Sequence, residues 1–394
     1  MSDLAGLIDG MRALEEHVEQ HITRERVRRY LSALVDAPAP STLAGPMRAP
    51  VLQRLLGEDG ALGAASLHFH ADFGRTGSPV ILTGSPGVAK PLWYFAHLDT
   101  ISYLVRPGDD ERYSLAPFCA HMIADGTRPA RAYRYDLREN AFSVVAEGRL
   151  ETDAGAPFFR PDPSAPRLRP GDRVVMVSSY REDPGSGLFT GLMDNAGGVA
   201  ALAVAAPVLG RAGIEAMLAF PDEEEGPVAP GNQTIGRGSS RIIHLLPVPE
   251  LAIISDVQQS GGASDADVRG GVENSTRLGA GAVLSEFSSF ARGAVTPPDL
   301  YALARHACGL LRDLGIKIQE SNNAYSSRSD DVSVMLKTPN ILLLGFPGFN
   351  RHFDRGEPRA HLDDVVDLAK ALVYMSTLRR YFTERRSELL GVER

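Results

Sequence analysis

Four apolar runs in this chain end close to residues able to bind a cation. Pro91-Leu-Trp-Tyr-Phe-Ala96 runs into His97-Leu-Asp99, and Ile214-Glu-Ala-Met-Leu-Ala-Phe220 leads through Pro221 into the consecutive acids Asp222 to Glu225. Glu250-Leu-Ala-Ile-Ile-Ser255 meets Asp256, and Asn340-Ile-Leu-Leu-Leu-Gly-Phe346 is followed, after a loop, by His361-Leu-Asp-Asp364. A strand covered on both faces reads as a near-continuous apolar run, as in parallel sheets flanked by helices. Ligands of open α/β sheets bind at the carboxyl rim of the strands. One acidic run alone is ordinarily a solvated loop. Four runs ending alike point instead to one shared site. A further acid, Asp194, opens the helical pattern Asn195 to Leu209. Taken singly it reads as an N-cap.

The 394-residue length exceeds the usual single core, so two domains are expected. A formal net charge of -8 argues against nucleic acid as a partner. Cys119 and Cys308 are too few for a disulfide framework and suit a reducing compartment. The N-terminal stretch has no basic segment followed by an apolar one, and no apolar run is long enough to span a bilayer. The expectation is a cytoplasmic chain with no membrane partner.

Residues 3 to 35 carry apolar side chains at helical spacing, and a second helix is expected from Pro46 to Leu56. His17 and His21 are an i, i+4 pair that a solvated helix face explains. Ser66 to Phe73 alternates as a half-buried strand, with His68 and His70 on one face. From Ile101 to about Arg181 the texture changes to short alternating segments punctuated by Pro and Gly, the pattern of a small all-β module. The chain therefore divides into an α/β unit of residues 1–100 and 188–394 and an inserted β-rich domain of residues 101–187. The loop Gly226 to Gly238 lacks the Gly-Lys-Ser/Thr ending of a phosphate loop and is expected to cover the site. Helices are predicted from Pro298 to Leu314 and from Asp363 to about Phe382, with a solvated charged tail from Glu384.

Imidazole and carboxylate together suit zinc or a similar divalent ion. Two ions a few ångströms apart need a ligand between them, and a carboxylate can give one oxygen to each. Asp194 stands between the His97 and Glu224 segments and is the expected bridge. His97 with Asp256 would complete one site, and Glu224 with His361 the other. Asp99 would accept a hydrogen bond from the second ring nitrogen of His97. Glu223 would take a proton from water and return it to a leaving amine.

These residues carry a resemblance. His97-Leu-Asp99, Leu192-Met-Asp-Asn195 with Gly198, Glu223-Glu-Glu-Gly226, Ser255-Asp256 and His361 resemble the glutamyl-aminopeptidase, or tetrahedral (TET), family of di-zinc metallopeptidases. That family shares a clan with aminopeptidase Y-like and acetylornithine deacetylase-like enzymes. Arg277-Leu-Gly-Ala-Gly281 and Ser329-Asp-Asp331 are similar to later family segments. The resemblance implies an α/β fold with a mixed central sheet flanked by helices and a small inserted all-β domain that dimerises or covers the site. It implies two divalent metal ions, zinc with cobalt or manganese as substitutes. One ion would be held by His97, Asp194 and Asp256, the other by Asp194, Glu224 and His361, with Glu223 as general base and Asp99 beside it. The implied activity is an aminopeptidase on short peptides in a homo-oligomer, a dimer or a dodecamer. A deacylase of small N-acyl substrates is the alternative, and a catalytically inactive binding protein a further one. Two departures stand out. Asp194-Asn-Ala-Gly lacks the basic residue that the family usually places two after the bridge, and His352 rivals His361.

Overall fold

The computed structural model describes residues 2–63, 66–108, 111–226, 236–261, 268–269, 272–289, 292–324, 327–353 and 356–391. Most of the loop expected to cover the site, Gly226 to Gly238, lies outside them.

The four apolar runs form the strands Leu92–Phe95, Ala216–Ala219, Leu251–Ile254 and Ile341–Phe349. They lie side by side and parallel, in the order Ala216–Ala219, Leu92–Phe95, Leu251–Ile254, Ile341–Phe349. Antiparallel neighbours make the sheet mixed: Val80–Thr83 and Leu67–His70 flank one side, and Ala282–Ser285 pairs with the Ile341–Phe349 strand on the other. Every residue of the three short parallel strands is buried because each face has its own cover. Tyr94, Leu218 and Ile253 enter a core with the helices Arg24–Asp36, Ala196–Arg211 and Leu362–Met375. Trp93, Phe95, Met217 and Ile254 enter a second core with the helix Arg237–His244. Burying such side chains contributes about 1.5–3 kcal/mol each.

The segment after Ile101 folds separately. Ser102–Val105, Tyr113–Phe118, Gly126–Asp136, Ala141–Asp153, Ala156–Pro161 and Arg173–Met176 close into a small antiparallel barrel with its own core, including Tyr103, Leu115, Phe159 and Val174. The expected fold class, a mixed central sheet flanked by helices plus a small all-β unit, is the one observed.

Two expected helices are each split in two. The first pattern splits into Ser2–His21 and Arg24–Asp36, where the Thr23 side chain caps the second helix by accepting from Arg26 N. The last splits into Leu362–Met375 and Leu378–Leu390, so the charged segment expected to be a solvated tail is helical through Leu390. Among the described residues, no helix is long and apolar enough to cross a membrane.

Candidate metal centre

The parallel strands deliver their ends to one rim. His97 follows Leu92–Phe95, Asp222 to Glu225 follow Ala216–Ala219, and Asp256 follows Leu251–Ile254. Asp194 arrives from the opposite direction, just before the helix Ala196–Arg211. Its neighbour Asn195 caps that helix by accepting from Gly198 N and donates from Nδ2 to Ser255 O at 2.7 Å. That bond ties the start of the helix to the strand that carries Asp256.

Two groups of buried side chains result: His97, Asp194 and Asp256, and Asp194, Glu225 and His352. Asp194 belongs to both and divides its oxygens between them. Its Oδ1 lies 3.2 Å from His97 Nε2, and its Oδ2 lies 2.9 Å from His352 Nε2. Asp256 Oδ1 is 3.6 Å from His97 Nε2, and Glu225 Oε2 is 3.3 Å from His352 Nε2. Each group offers one imidazole and two carboxylates, the donor set of an open zinc-type site.

The groups are unfinished as hydrogen-bond networks. His352 Nδ1, Glu225 Oε1 and Asp256 Oδ2 are buried without a hydrogen-bond partner, while His352 Nε2 faces two carboxylates. Buried polar atoms are normally satisfied, so such orphans converging on one spot fit a cation. The charges agree. Burial opposes a charged ring at His97, but Asp256, Glu224 and Asp194 outweigh it and hold its pKa well above the ordinary histidine value. At His352 burial is likewise overcome, mainly by Glu225, and the pKa is pushed up to about 10. Burial, and then Asp194, raise Asp256 to about 6. The cluster thus holds more negative charge than its surroundings neutralise, and a proton stands where a cation fits.

His97 is held ready for such an ion. Its Nδ1 lies 3.1 Å from the Asp99 carbonyl, which only accepts, so Nδ1 donates there and Nε2 faces the carboxylates. The Asp99 carboxylate accepts from Ser41 Oγ and from the backbone N–H groups of Glu224 and Glu225. Asp99 thereby fixes the ring through its carbonyl and the acid segment through its carboxylate.

That segment is not used in the expected register. Asp222 is structural, accepting from Thr42 N and Ala44 N. Glu223 sits at φ 65°, in the left-handed region, which turns its side chain away from the cluster. It reaches Arg241 Nη1 at 2.6 Å and Arg237 Nη1 at 3.4 Å. Glu224 faces inward, 3.8 Å from His97 Nε2, and Glu225 meets His352. Burial drives the Glu224 pKa well above the carboxylate range. Gly226 follows directly; a Cβ there would lie 2.5 Å from the Phe118 ring and 2.6 Å from the Phe118 backbone, so the segment is pressed against the barrel.

His361 is also elsewhere. Its Nε2 contacts Ser186 O at 2.8 Å, and its Nδ1 accepts from Asp363 N, capping the helix Leu362–Met375. The histidine in the cluster is His352, on the loop after the Ile341–Phe349 strand. Its neighbour Arg351 donates from Nη1 to Asp194 Oδ2 at 2.9 Å. Phe353 O accepts from Arg128 Nη2 of the barrel at 3.4 Å. Sequence reasoning named His352 only as a rival and took Glu224, not Glu225, as the ligand; the shared apolar-run signal does not separate either from its neighbours. Arg328 completes the surroundings. It is close enough to Glu224 to oppose the rise in its pKa, and its Nε is buried without a hydrogen-bond partner, as are Ser327 Oγ and Ser329 Oγ.

No family profile matches the sequence, and no curated protein matches it. Solved structures do. An aminopeptidase from the archaeon Desulfurococcus kamchatkensis is 16% identical, with a TM-score of 0.67 over 92% of this chain and 98% of that one. The TET aminopeptidase from a marine sediment Thaumarchaeota archaeon is 14% identical, with a TM-score of 0.66 over 91% and 99%. The Pyrococcus horikoshii TET1 peptidase, which assembles into a tetrahedron or a large octahedral shell, is 18% identical, with a TM-score of 0.65 over 89% and 99%. The chain has the fold of the TET aminopeptidases.

Proposed function

We propose that this protein is a di-metal hydrolase of amide bonds, an aminopeptidase acting on short peptides. The observation that carries the reading is the division of Asp194 between two histidines, one oxygen to each. In this reading His97, Asp194 and Asp256 hold one divalent ion, and Asp194, Glu225 and His352 the other. The ligand set accepts zinc, cobalt or manganese. Bound ions polarise a carbonyl and make water acidic enough to lose a proton near neutral pH.

The remaining chemistry belongs to the chain. Glu224 is the general base in place of Glu223. Its carboxylate is buried and beside His97, and its raised pKa suits a group that takes a proton from water and returns it to the leaving amine. Asp99 positions His97 and the Glu224 backbone at once. The burial of the whole cluster limits competing water.

The test is Glu224→Gln. Metal content should stay at that of the wild type, while kcat on leucyl-p-nitroanilide falls by roughly 10²–10⁴. Unchanged turnover would remove Glu224 from the mechanism. Arg328 favours a second reading, hydrolysis of an N-acyl amino acid whose free carboxylate meets the guanidinium. Turnover of N-acetyl-leucine but not of leucyl-p-nitroanilide would establish it.

We place the protein in the cytoplasm, where buried, unpaired Cys119 and Cys308 stay reduced. A homo-oligomer, a dimer or a dodecamer, joined through residues 101–187 completes the reading. Leu137 and Val144, at the end of the long barrel hairpin, are exposed and support it. Light scattering on the purified chain tests it; a monomer would sink it.

A further inference from the structure

Asp194 treats its two histidines alike, but its oxygens are not alike. Oδ2 also accepts from Arg351 Nη1 at 2.9 Å, and Oδ1 faces His97 with no arginine or lysine on it among the described residues. Arg351 and His352 are consecutive and converge on the same oxygen, each 2.9 Å away. The guanidinium is a permanent charge that no ordinary pH removes. Its side chain is 15% exposed, and Asp194 is buried. Solvent and salt therefore screen the pair poorly.

We infer that Arg351 makes the two cation pockets unequal: the His97–Asp256 pocket fills first and tightly, and the His352–Glu225 pocket binds weakly and exchanges. This rests on the di-metal reading above and deepens it. A cation in the second pocket shares Oδ2 with a guanidinium and is repelled by it. A cation in the first pocket takes Oδ1, free of that competitor, and Glu224 stands close by on the same side, 3.8 Å from His97 Nε2. Arg351 is thus a positioning residue. It holds the bridging carboxylate when the second pocket is empty and sets the cation concentration at which that pocket fills.

The test is calorimetric titration of metal-stripped full-length protein with Zn²⁺ in a competing chelator. The wild type should bind two ions in separated steps, the second weaker by at least about tenfold. Arg351→Met keeps the chain length and removes the charge. It should tighten the second step by about tenfold or more and leave the first within about threefold. Arg351→Lys, which restores a charge, should return the separation. Equal steps in the wild type, or an Arg351→Met variant that moves neither step or both together, would overturn the inference. Should Arg351→Met not fold, His97→Ala and His352→Ala decide. The first must abolish the tight step and the second only the weak one; the opposite pattern overturns it. A wild type that binds fewer than two ions fails the di-metal reading itself, a different result from two ions bound with equal strength.

Discussion

Two stretches near the end of the chain each carry a histidine, and only one enters the cluster. His352 lies on an irregular loop beyond the Ile341–Phe349 strand, packed among Asp194, Glu225 and Arg351. His361 lies where a short strand passes into the helix Leu362–Met375, and its side chain caps that helix. The His352 ring leaves Nδ1 unpartnered and turns Nε2 to two carboxylates; the His361 ring is held at both nitrogens by backbone groups. A histidine directly before a helical pattern fits a capping role at least as well as a metal-binding one, and satisfied ring nitrogens distinguish the two.

The largest expected effect breaks that comparison outright. His352→Ala should lower kcat by roughly a thousandfold and reduce bound metal from two ions per chain towards one, since a ligand is lost. His361→Ala should leave both within about threefold. Elemental analysis with a peptidase assay checks the pair, and a reversed result would return His361 to the site. The same contrast separates adjacent glutamates. Glu223→Gln should cost no more than about tenfold in kcat, against roughly 10²–10⁴ for Glu224→Gln. Its losses should appear mainly as lower stability, from weakened pairing with Arg237 and Arg241.

A smaller effect concerns folding. Removing the His361 cap should cost about 0.5–1 kcal/mol in urea unfolding, and His361→Asn should recover most of it. The smallest is a pH slope. Asp330 is fully buried, and burial raises its pKa to about 7. The native state keeps this proton after the unfolded chain, with its ordinary carboxyl, has lost it. The stability contribution of Asp330 therefore falls as pH rises from about 4 to about 7 and is level above that. Metal-free Asp330→Asn should show a shallower decline across that window, measured by urea midpoints.

Much of the fold was legible because a strand buried on both faces can hardly be anything but apolar throughout. The runs before His97 and Asp222 stop where their strands stop, and the run before Asp256 breaks there before pairing again at Val257–Gln259, so the rim was visible in the sequence. Beyond the rim the pattern gives out. Which of Asp222, Glu223, Glu224 and Glu225 faces inward follows from one left-handed residue, Glu223, and not from strand alternation. The four acids then divide between anchoring Thr42 and Ala44, pairing with arginines, and facing the cluster. The loop of His352 has no periodicity at all, whereas His361 precedes a clear helical pattern. Arg351 could be read, with Arg237 and Arg328, as an arginine able to meet a carboxylate, but an exposed position was the commoner reading, and only its distance to Asp194 identifies the partner.

The contact between Gly226 and Phe118 has a mechanical consequence. One pocket is framed by the body of the sheet, through His97 and Asp256. The other leans on the inserted barrel from both sides, through Gly226 beside Glu225 and through Arg128 beneath the His352 loop. Loosening the barrel would therefore slacken one half of the centre and spare the other. A graft of the sheet and its helices without the barrel would carry over one pocket and lose the support of the other.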